Sequence, residues 1–168
     1  MVEERRAYYF SNSAPVSIVN GRDRILLPYY VDSNLFSPYE RSVEEGSPVE
    51  LSVTNTQVAP DTIESIVNVN FLYPFLNNNL KLRVAAVERQ VIYPHSIGAS
   101  GDSIFYDVCR RMYPDANGYP LTGNTGSQQF VIRFHIDSLW KDTSIYTVAF
   151  IQSDVDRTVY NSAKSDTM

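Results

Sequence analysis

Residues 129–136 read QFVIRFHI, a stretch in which apolar and polar side chains alternate. Successive side chains of a β-strand point to opposite faces, so one face of this stretch is apolar and the other carries Arg133 and His135. The apolar face consists of Phe130, Ile132, Phe134 and Ile136. The stretch therefore predicts a strand that buries one face against a core and exposes the other.

Similar strand patterns recur along the chain. Alternation appears at 49–54, 63–71 and 80–86, and the strand that starts at Leu80 is expected to continue to Pro94. Residues 145–152 are nearly all apolar, which suits a central strand buried on both faces. A last short strand is expected at 158–160. Clusters of Pro, Gly and Asn separate these strands, so we predict an antiparallel sandwich or barrel and favour an immunoglobulin-like β-sandwich over 46–168.

One segment departs from this pattern. Ile104, Val108 and Met112 recur at every fourth position, and Pro114 follows them. This spacing predicts a short helix over 103–112 that crosses one end of the sheets. A bent strand made of the same residues is the alternative.

The first 45 residues differ from the rest. They combine an aromatic stretch, a short apolar strand and a turn signal with two prolines and an acidic run. These features lie at 7–10, 16–19, Asn20-Gly21, Pro28, Pro38 and 43–46. We therefore predict an extended arm or linker over 1–45 ahead of the sandwich.

Composition excludes several classes of function. The 168 residues include 14 basic and 19 acidic side chains, a net charge of −5, with no basic cluster, so nucleic acid is not an expected partner. One cysteine, Cys109, excludes an intrachain disulfide and a multi-cysteine zinc site. No apolar run approaches the ~18 residues of a transmembrane helix. The first ten residues lack the apolar centre of a signal peptide, so an exported form is expected to be mature or a fragment.

Catalytic candidates are few. His95 and His135 have no metal-ligand spacing, and Cys109 lies in an apolar stripe, where an inert thiol is the common outcome. No Ser-His-Asp set can be argued. We therefore expect no enzyme activity and no cofactor.

Aspartates near the C-terminus are weak candidate metal ligands. Asp154 and Asp156, with Asp137 and Asp142 in a neighbouring loop, could supply oxygen ligands to calcium. The pair lacks the Gly and the terminal Glu of an EF-hand loop. Turn formation explains these aspartates without a metal, so we expect no metal site.

An ordered set of motifs resembles a known family. The set comprises LRVAAVER at 82–89, GDSIFYDVCRRM at 101–112, PDANG at 114–118, Trp140 and VAFIQSD at 148–154. It resembles the β-sandwich half of Bacteroidetes cell-surface proteins of the outer-membrane family usually called Omp28-like. Cys109 stands where the family often has Met, and Ser153 where Asn is common.

The resemblance also bears on the N-terminus. Family members often carry a thioredoxin-like domain that ends in a Tyr-rich helix, a Pro turn and a strand closing on Asn-Gly. Residues 6–9 and 15–21 look like that ending, whereas a Cys-x-x-Cys segment is absent from this chain. The resemblance implies export, often by the type IX route, and display or release at the outer surface.

We therefore expect a non-enzymatic, extracellular or cell-surface protein that assembles with itself or anchors a larger surface structure with another envelope protein. A carbohydrate- or protein-binding module and a fragment of a thioredoxin-like exported protein are the alternatives. A tyrosine-rich groove with converging polar groups would favour the binding module. For assembly, apolar residues of the arm are the candidate interface, because a strand at 16–19 or 25–30 can add to the edge of a neighbouring sandwich. The interface candidates are Tyr8, Tyr9, Phe10, Val16, Ile18, Leu26, Leu27, Tyr29 and Tyr30.

Overall fold

The computed structural model describes residues 2–11, 16–26, 33–75, 79–96 and 101–166. Ahead of the sandwich lie α1 (Val2–Tyr8), β1 (Val16–Val19), β2 (Asp23–Leu26) and α2 (Ser33–Glu45). The sandwich contains β3 (Val49–Ala59), β4 (Thr62–Phe71), β5 (Leu80–Ile92), β6 (Ile104–Tyr113), β7 (Tyr119–Pro120), β8 (Gly126–His135), β9 (Ile145–Ser153) and β10 (Val159–Lys164). A single 3₁₀ turn, Asp142–Ser144, precedes β9.

The strands form two facing sheets and a separate hairpin. The larger sheet has the order β10-β9-β5-β6, with β7 also pairing with β5, and the smaller sheet has the order β3-β4-β8. The hairpin is β1-β2, and every strand pair described is antiparallel. The predicted antiparallel β-sandwich is confirmed.

Side chains from both sheets meet in one apolar core. Ile132 and Phe134 of β8 are buried with Leu82 and Val84 of β5, and Phe130 and Ile136 pack against the same cluster. Arg133 and His135 on the opposite face of β8 are exposed. The alternation at 129–136 therefore identified the buried face correctly.

Strand β9 lies inside the larger sheet, between β10 and β5. Its inner face contributes Ile145, Ala149 and Ile151 to the main core, while Tyr146 belongs to a second apolar cluster with Ala85, Val87 and Met112. Two clusters on two faces explain why the sequence of β9 is apolar almost throughout, as expected of a central strand.

The helix expected at 103–112 is wrong, because this segment is strand β6. The register between β5 and β6 shifts by one residue between Ala86 and Val87. Val108 lies opposite Glu88, whereas Met112 lies opposite Ala85 beyond the shift. An extra residue of this kind moves side chains on its two sides to opposite faces, so two residues four apart no longer share a face. The helical spacing was therefore coincidental, and the bent strand was the correct alternative.

The stretch with Pro38 and the acidic run, expected to be extended, forms helix α2. Gly46 follows the helix at φ 65°, and its N–H donates to the carbonyl of Val43 at 3.3 Å. A glycine with positive φ just past the last turn is a common helix end, because it places no Cβ in the strained region. Gly46 was thus a helix-ending signal rather than part of a linker. The domain boundary at residue 46 stays a prediction.

Of the helices in the described ranges, none combines the length and the apolar character needed to span a membrane.

Candidate ligand-binding site

A cleft of about 440 Å³ opens on the larger sheet, where side chains of β5, β6, β9 and the end of β10 meet. Its volume falls within the range of ~300–1,000 Å³ typical of small-molecule sites. The described lining residues are Arg89, Tyr106, Asp107, Tyr146, Lys164, Ser165 and Asp166. Antiparallel pairing brings these distant segments together, since Val87 lies opposite Tyr146 and Lys164 lies opposite Val148.

A tyrosine–aspartate hydrogen bond forms one wall of the cleft. The Tyr146 hydroxyl donates to Oδ1 of Asp107 at 2.9 Å. Burial, followed by this hydrogen bond, raises the pKa of Tyr146 to about 12. The phenol therefore stays protonated at neutral pH and holds the carboxylate of Asp107 in place as an acceptor.

Among the described residues that line the cleft, basic and acidic side chains are equal in number. Arg89 and Lys164 supply donors, whereas Asp107 and Asp166 supply acceptors, so the formal charges cancel. The ammonium group of Lys164 lies 6.0 Å from the ring centroid of Tyr146. Tyr106 lines the cleft while 66% of its surface remains exposed. The described lining thus combines an accessible aromatic ring with hydrogen-bonding groups whose formal charges sum to zero.

Backbone contacts fix the segment that follows β10. The backbone N–H of Thr147 donates to the Ser165 hydroxyl at 3.0 Å, and the backbone N–H of Ser165 donates to the carbonyl of Thr147 at 2.9 Å. The Ser165 hydroxyl in turn donates to the carbonyl of Asp166 at 2.9 Å. These bonds attach the segment to β9, so Lys164 and Asp166 are held beside Tyr146.

The catalytic candidates are not among the described residues that line this cleft. His95 and His135 are exposed, and Nδ1 of His135 lies 3.1 Å from the hydroxyl oxygen of Thr62. Cys109 is exposed as a residue, although the protein around its sulfur displaces water and raises the pKa of the thiol. A raised pKa lowers the thiolate fraction and therefore the reactivity of the thiol.

Two interface candidates, Tyr8 and Tyr9, pack against the chain's own sandwich. The Tyr8 hydroxyl lies 2.9 Å from Oδ1 of Asp154 and 3.1 Å from the carbonyl oxygen of Ser153. The side chain of Gln152 donates to the Tyr9 hydroxyl at 2.9 Å. The guanidinium carbon of Arg5 lies 4.5 Å from the Tyr8 ring centroid. Helix α1 therefore covers part of the outer face of the larger sheet.

Beneath Tyr8 lies a buried arginine. Arg83 is 1% exposed, and its guanidinium carbon lies 4.8 Å from the Tyr8 ring centroid. It donates to Oδ1 of Asp154 at 2.6 Å and to the carbonyl of Ala116 at 3.2 Å. A Cβ on Gly118 would lie 2.5 Å from the carbonyl oxygen of Leu82. The motif at 114–118 thus has a structural role. Its Ala116 carbonyl accepts a hydrogen bond from Arg83, and only a glycine at position 118 fits beside β5.

The other interface candidates are spread over the arm. Phe10 is 67% exposed, with the guanidinium carbon of Arg157 4.5 Å from its ring centroid. Val16 and Ile18 are half-buried in β1. Leu26 ends β2, and its side chain lies outside the described set, as do the residues Leu27, Tyr29 and Tyr30. Their role in a partner contact stays a prediction.

The candidate calcium ligands bind groups of the protein. Asp154 accepts from Arg83, and Asp156 accepts from the backbone N–H of Thr158 at 3.1 Å. Burial alone would raise the pKa of Asp156, but hydrogen bonds from Thr158 and Ser153 outweigh it and lower that pKa. Oδ1 of Asp137 accepts from the backbone N–H of Leu139 at 2.9 Å, and the side chain of Asp142 is outside the described set. Across the described ranges, no three His, Cys, Asp or Glu side chains cluster as metal ligands would.

Sequence reasoning missed most of the cleft. Arg89, Tyr106, Lys164 and Asp166 were not singled out as site residues: Arg89 and Tyr106 counted only as parts of the family motifs at 82–89 and 101–112, and Lys164 and Asp166 lie outside every motif. One signal was available in β9. Tyr146 is the only tyrosine in this mostly apolar strand. A buried tyrosine needs a partner for its hydroxyl, which Asp107 provides.

No family model and no curated protein matches this chain. Solved structures do. A domain of the outer membrane lipoprotein Omp28 from Porphyromonas gingivalis matches with a TM-score of 0.53 and 12% identity, over 70% of this chain and 86% of that one. HBP35 of Porphyromonas gingivalis matches with a TM-score of 0.68 and 12% identity, over 81% of this chain and 46% of that one. This chain thus spans less than half the length of HBP35. At the level of fold, the resemblance seen in the sequence is confirmed: the chain shares its β-sandwich with these two Bacteroidetes proteins.

Proposed function

We propose that the protein is a non-enzymatic module of the bacterial cell surface that binds a neutral carbohydrate in the cleft between Tyr106 and Tyr146. The shared fold with a domain of an outer membrane lipoprotein supports the surface location. The residues that line the cleft support the proposed binding function. A tyrosine-rich groove with converging polar groups is the feature expected to favour a binding module, and the described lining combines Tyr106 and Tyr146 with four charged side chains.

The charge balance of the cleft selects the class of ligand. The two cationic and two anionic side chains described in the lining sum to zero formal charge, so they favour neither an anion nor a cation by net charge. They do provide strong donors and acceptors for the hydroxyl groups of a sugar. The exposed ring of Tyr106 offers an apolar surface for the C–H face of the same sugar ring. A neutral polyol with one apolar face satisfies all of these groups together.

Isothermal titration calorimetry of the full chain against neutral cello-, malto- and galacto-oligosaccharides tests the proposal. We expect one of these series to bind, and Tyr106→Ala to weaken binding about tenfold, which corresponds to ~1.4 kcal/mol. Tyr73→Ala is the matched control, because Tyr73 is 68% exposed and lies outside the cleft. Binding should also depend little on salt, since the proposed ligand is neutral and the described lining residues sum to zero formal charge.

Two binding results contradict the carbohydrate proposal. One is that no neutral oligosaccharide binds while a charged sugar or a zwitterionic dipeptide does. The other is that Tyr106→Ala and Tyr73→Ala bind equally well. Hydrolysis of the bound sugar during the titration, followed by chromatography, would contradict the non-enzymatic part.

A second candidate function is assembly or anchoring of a surface structure, through contacts with a second copy or with another envelope protein. The arm is the predicted interface, yet Tyr8 and Tyr9 contact the chain's own sandwich. What favours assembly is the edge of the smaller sheet, because strand β8 has no pairing partner on one side among the described strands. Derivation from a thioredoxin-like exported protein stays a prediction. Such a domain would end in a helix followed by a strand that closes on Asn-Gly, and α1, β1 and the turn at Asn20-Gly21 follow one another in this order.

A further inference from the structure

The described strands of the sandwich leave four sheet edges: one formed by β10 and one by β6 with the short β7 in the larger sheet, and one each by β3 and β8 in the smaller. An edge strand presents unpaired backbone N–H and C=O groups that can pair with another chain. Natural proteins protect such edges with bulges, short strands, prolines, charges or covering segments.

Three of the four edges carry such protection. The register of β3 shifts between Gln57 and Ala59. The register between β5 and β6 also shifts, and Asp107 in β6 has φ 51°. β10 is short and irregular between Val159 and Asn161, and the backbone N–H of Val159 already donates to the carbonyl of Asn20.

Strand β8 lacks most of these devices: it has no register shift and no proline, and no described strand covers its free edge. It pairs with β4 at ten consecutive positions without a register shift, from Thr62 opposite His135 to Phe71 opposite Gly126. Its sequence contains no proline and no lysine, and among the described strands it pairs with β4 alone. The charge of Arg133 is matched by an ion pair with Glu64 of β4. The edge is therefore long, regular and nearly neutral.

We propose that β8 pairs antiparallel with β8 of a second copy, so that two smaller sheets join into one continuous sheet of six strands. This interface goes beyond the carbohydrate proposal and is independent of it, because the cleft lies on the other sheet. A closed two-fold pairing uses the same strand from both copies and leaves no further β8 edge exposed.

Side-chain chemistry selects the register of this pairing. With Val131 on the two-fold axis, Val131 faces Val131 of the second copy, and Gln129 faces Arg133 of the second copy. Val131 is 54% exposed in the isolated chain, so pairing covers an apolar side chain. Phe130 then lies opposite Ile132 of the second copy, which continues the apolar inner face. A register centred on Arg133 would instead place two like charges opposite each other, which is unfavourable.

Light scattering of the full chain across a concentration series tests the pairing. We expect the mass to rise from 19.1 kDa to twice that value. Val131→Lys should abolish this rise, since it places two ammonium groups on the axis. Thr54→Lys is the matched control: Thr54 is exposed and lies in the same cross-strand row, on the opposite edge of the sheet. Circular dichroism checks that both variants keep the fold.

The register has its own test. In a Cys109→Ser background, Val131→Cys should form a disulfide-linked dimer on oxidation, because residues directly opposite in an antiparallel pair have Cα atoms ~4.5–5.5 Å apart, within disulfide range. Thr54→Cys should stay monomeric. The pairing is wrong if the wild-type chain remains at 19.1 kDa at every concentration or if Val131→Lys dimerises like Thr54→Lys.

Discussion

The outer faces of the two sheets differ in how far they bury an arginine side chain. On the larger sheet, Arg83 is 1% exposed beneath Tyr8 and is paired with Asp154. On the smaller sheet, the side chain of Arg133 is 70% exposed and is paired with Glu64. Both arginines point away from the shared core. The difference arises because the N-terminal segment covers part of the larger sheet, while no described segment covers Arg133.

This contrast shows that an outward-facing position is defined by what lies over it and not by strand alternation alone. The larger sheet gains a second buried layer, which includes Gln152 as well as Arg83. The smaller sheet keeps a solvated face on which amide and hydroxyl groups bind one another across the strands, as in the bond from Asn68 to Ser52. We therefore expect ligands to bind on the larger sheet and a partner chain to bind at the edge of the smaller sheet.

The largest expected effect tests which face of the smaller sheet is buried. Phe134→Ala should lower the free energy of unfolding by about 4 kcal/mol, because it removes a buried ring and leaves a cavity. Val131→Ala on the outer face of the same strand should change it by less than ~0.5 kcal/mol in the monomer. Urea denaturation at low protein concentration measures both values. Equal losses would mean that β8 has no single buried face.

A smaller loss of stability is expected when the ion pair on either outer face is broken. Asp154→Ala should destabilise the protein by about 3 kcal/mol, because it leaves the guanidinium of Arg83 buried without its carboxylate. Glu64→Ala removes the partner of the exposed Arg133 and should cost less than ~1 kcal/mol. Chemical denaturation of the two variants gives the comparison. If Glu64→Ala costs as much as Asp154→Ala, the N-terminal segment does not bury Arg83.

The smallest effect concerns alkaline pH. The pKa values of Tyr8 and Tyr146 are each raised from 10.0 to about 12, in both cases chiefly by burial and then by hydrogen bonds to aspartates. The folded state therefore holds these protons more tightly than the unfolded state. Their stabilisation is complete below pH 10 and is lost as the pH rises from 10 to 12.

Replacing either phenol should make stability fall less steeply over this interval. Denaturation midpoints of Tyr8→Phe and Tyr146→Phe between pH 9 and 12 measure the slope, and Tyr73→Phe, on an exposed residue, is the control. An unchanged slope in both variants would indicate that α1 and the cleft leave these hydroxyls in water.

Much of the fold was predictable from the sequence. In five strands, the alternation of apolar and polar residues, or a run of apolar residues, matches the side chains that the structure buries. These strands are β3, β4, β5, β8 and β9. Strand β6 was misjudged, since a register shift relative to β5 changes the spacing of its side chains, and single-residue shifts leave no clear trace in the sequence. Helix α2 was missed because Pro38 and the acidic run outweighed the signal from Gly46.

The candidate site was less predictable than the fold. Tyr146 and Asp107 meet through the pairing of β9 and β6 with β5, a contact between residues 39 positions apart. Arg83 illustrates the same limit, since strand alternation places it outward and its cover comes from Tyr8 in a different segment. Contacts of this kind depend on the assembled sheets and not on local pattern.

The proposed binding site is tested most directly by an NMR titration of the full chain with the neutral oligosaccharide that binds, followed through backbone amide shifts. We expect the shifts to concentrate at Arg89, Asp107, Tyr146 and Lys164, on the larger sheet. Shifts at Asn68 and Gln129, on the solvated face of the smaller sheet, with the cleft unchanged, would contradict this expectation.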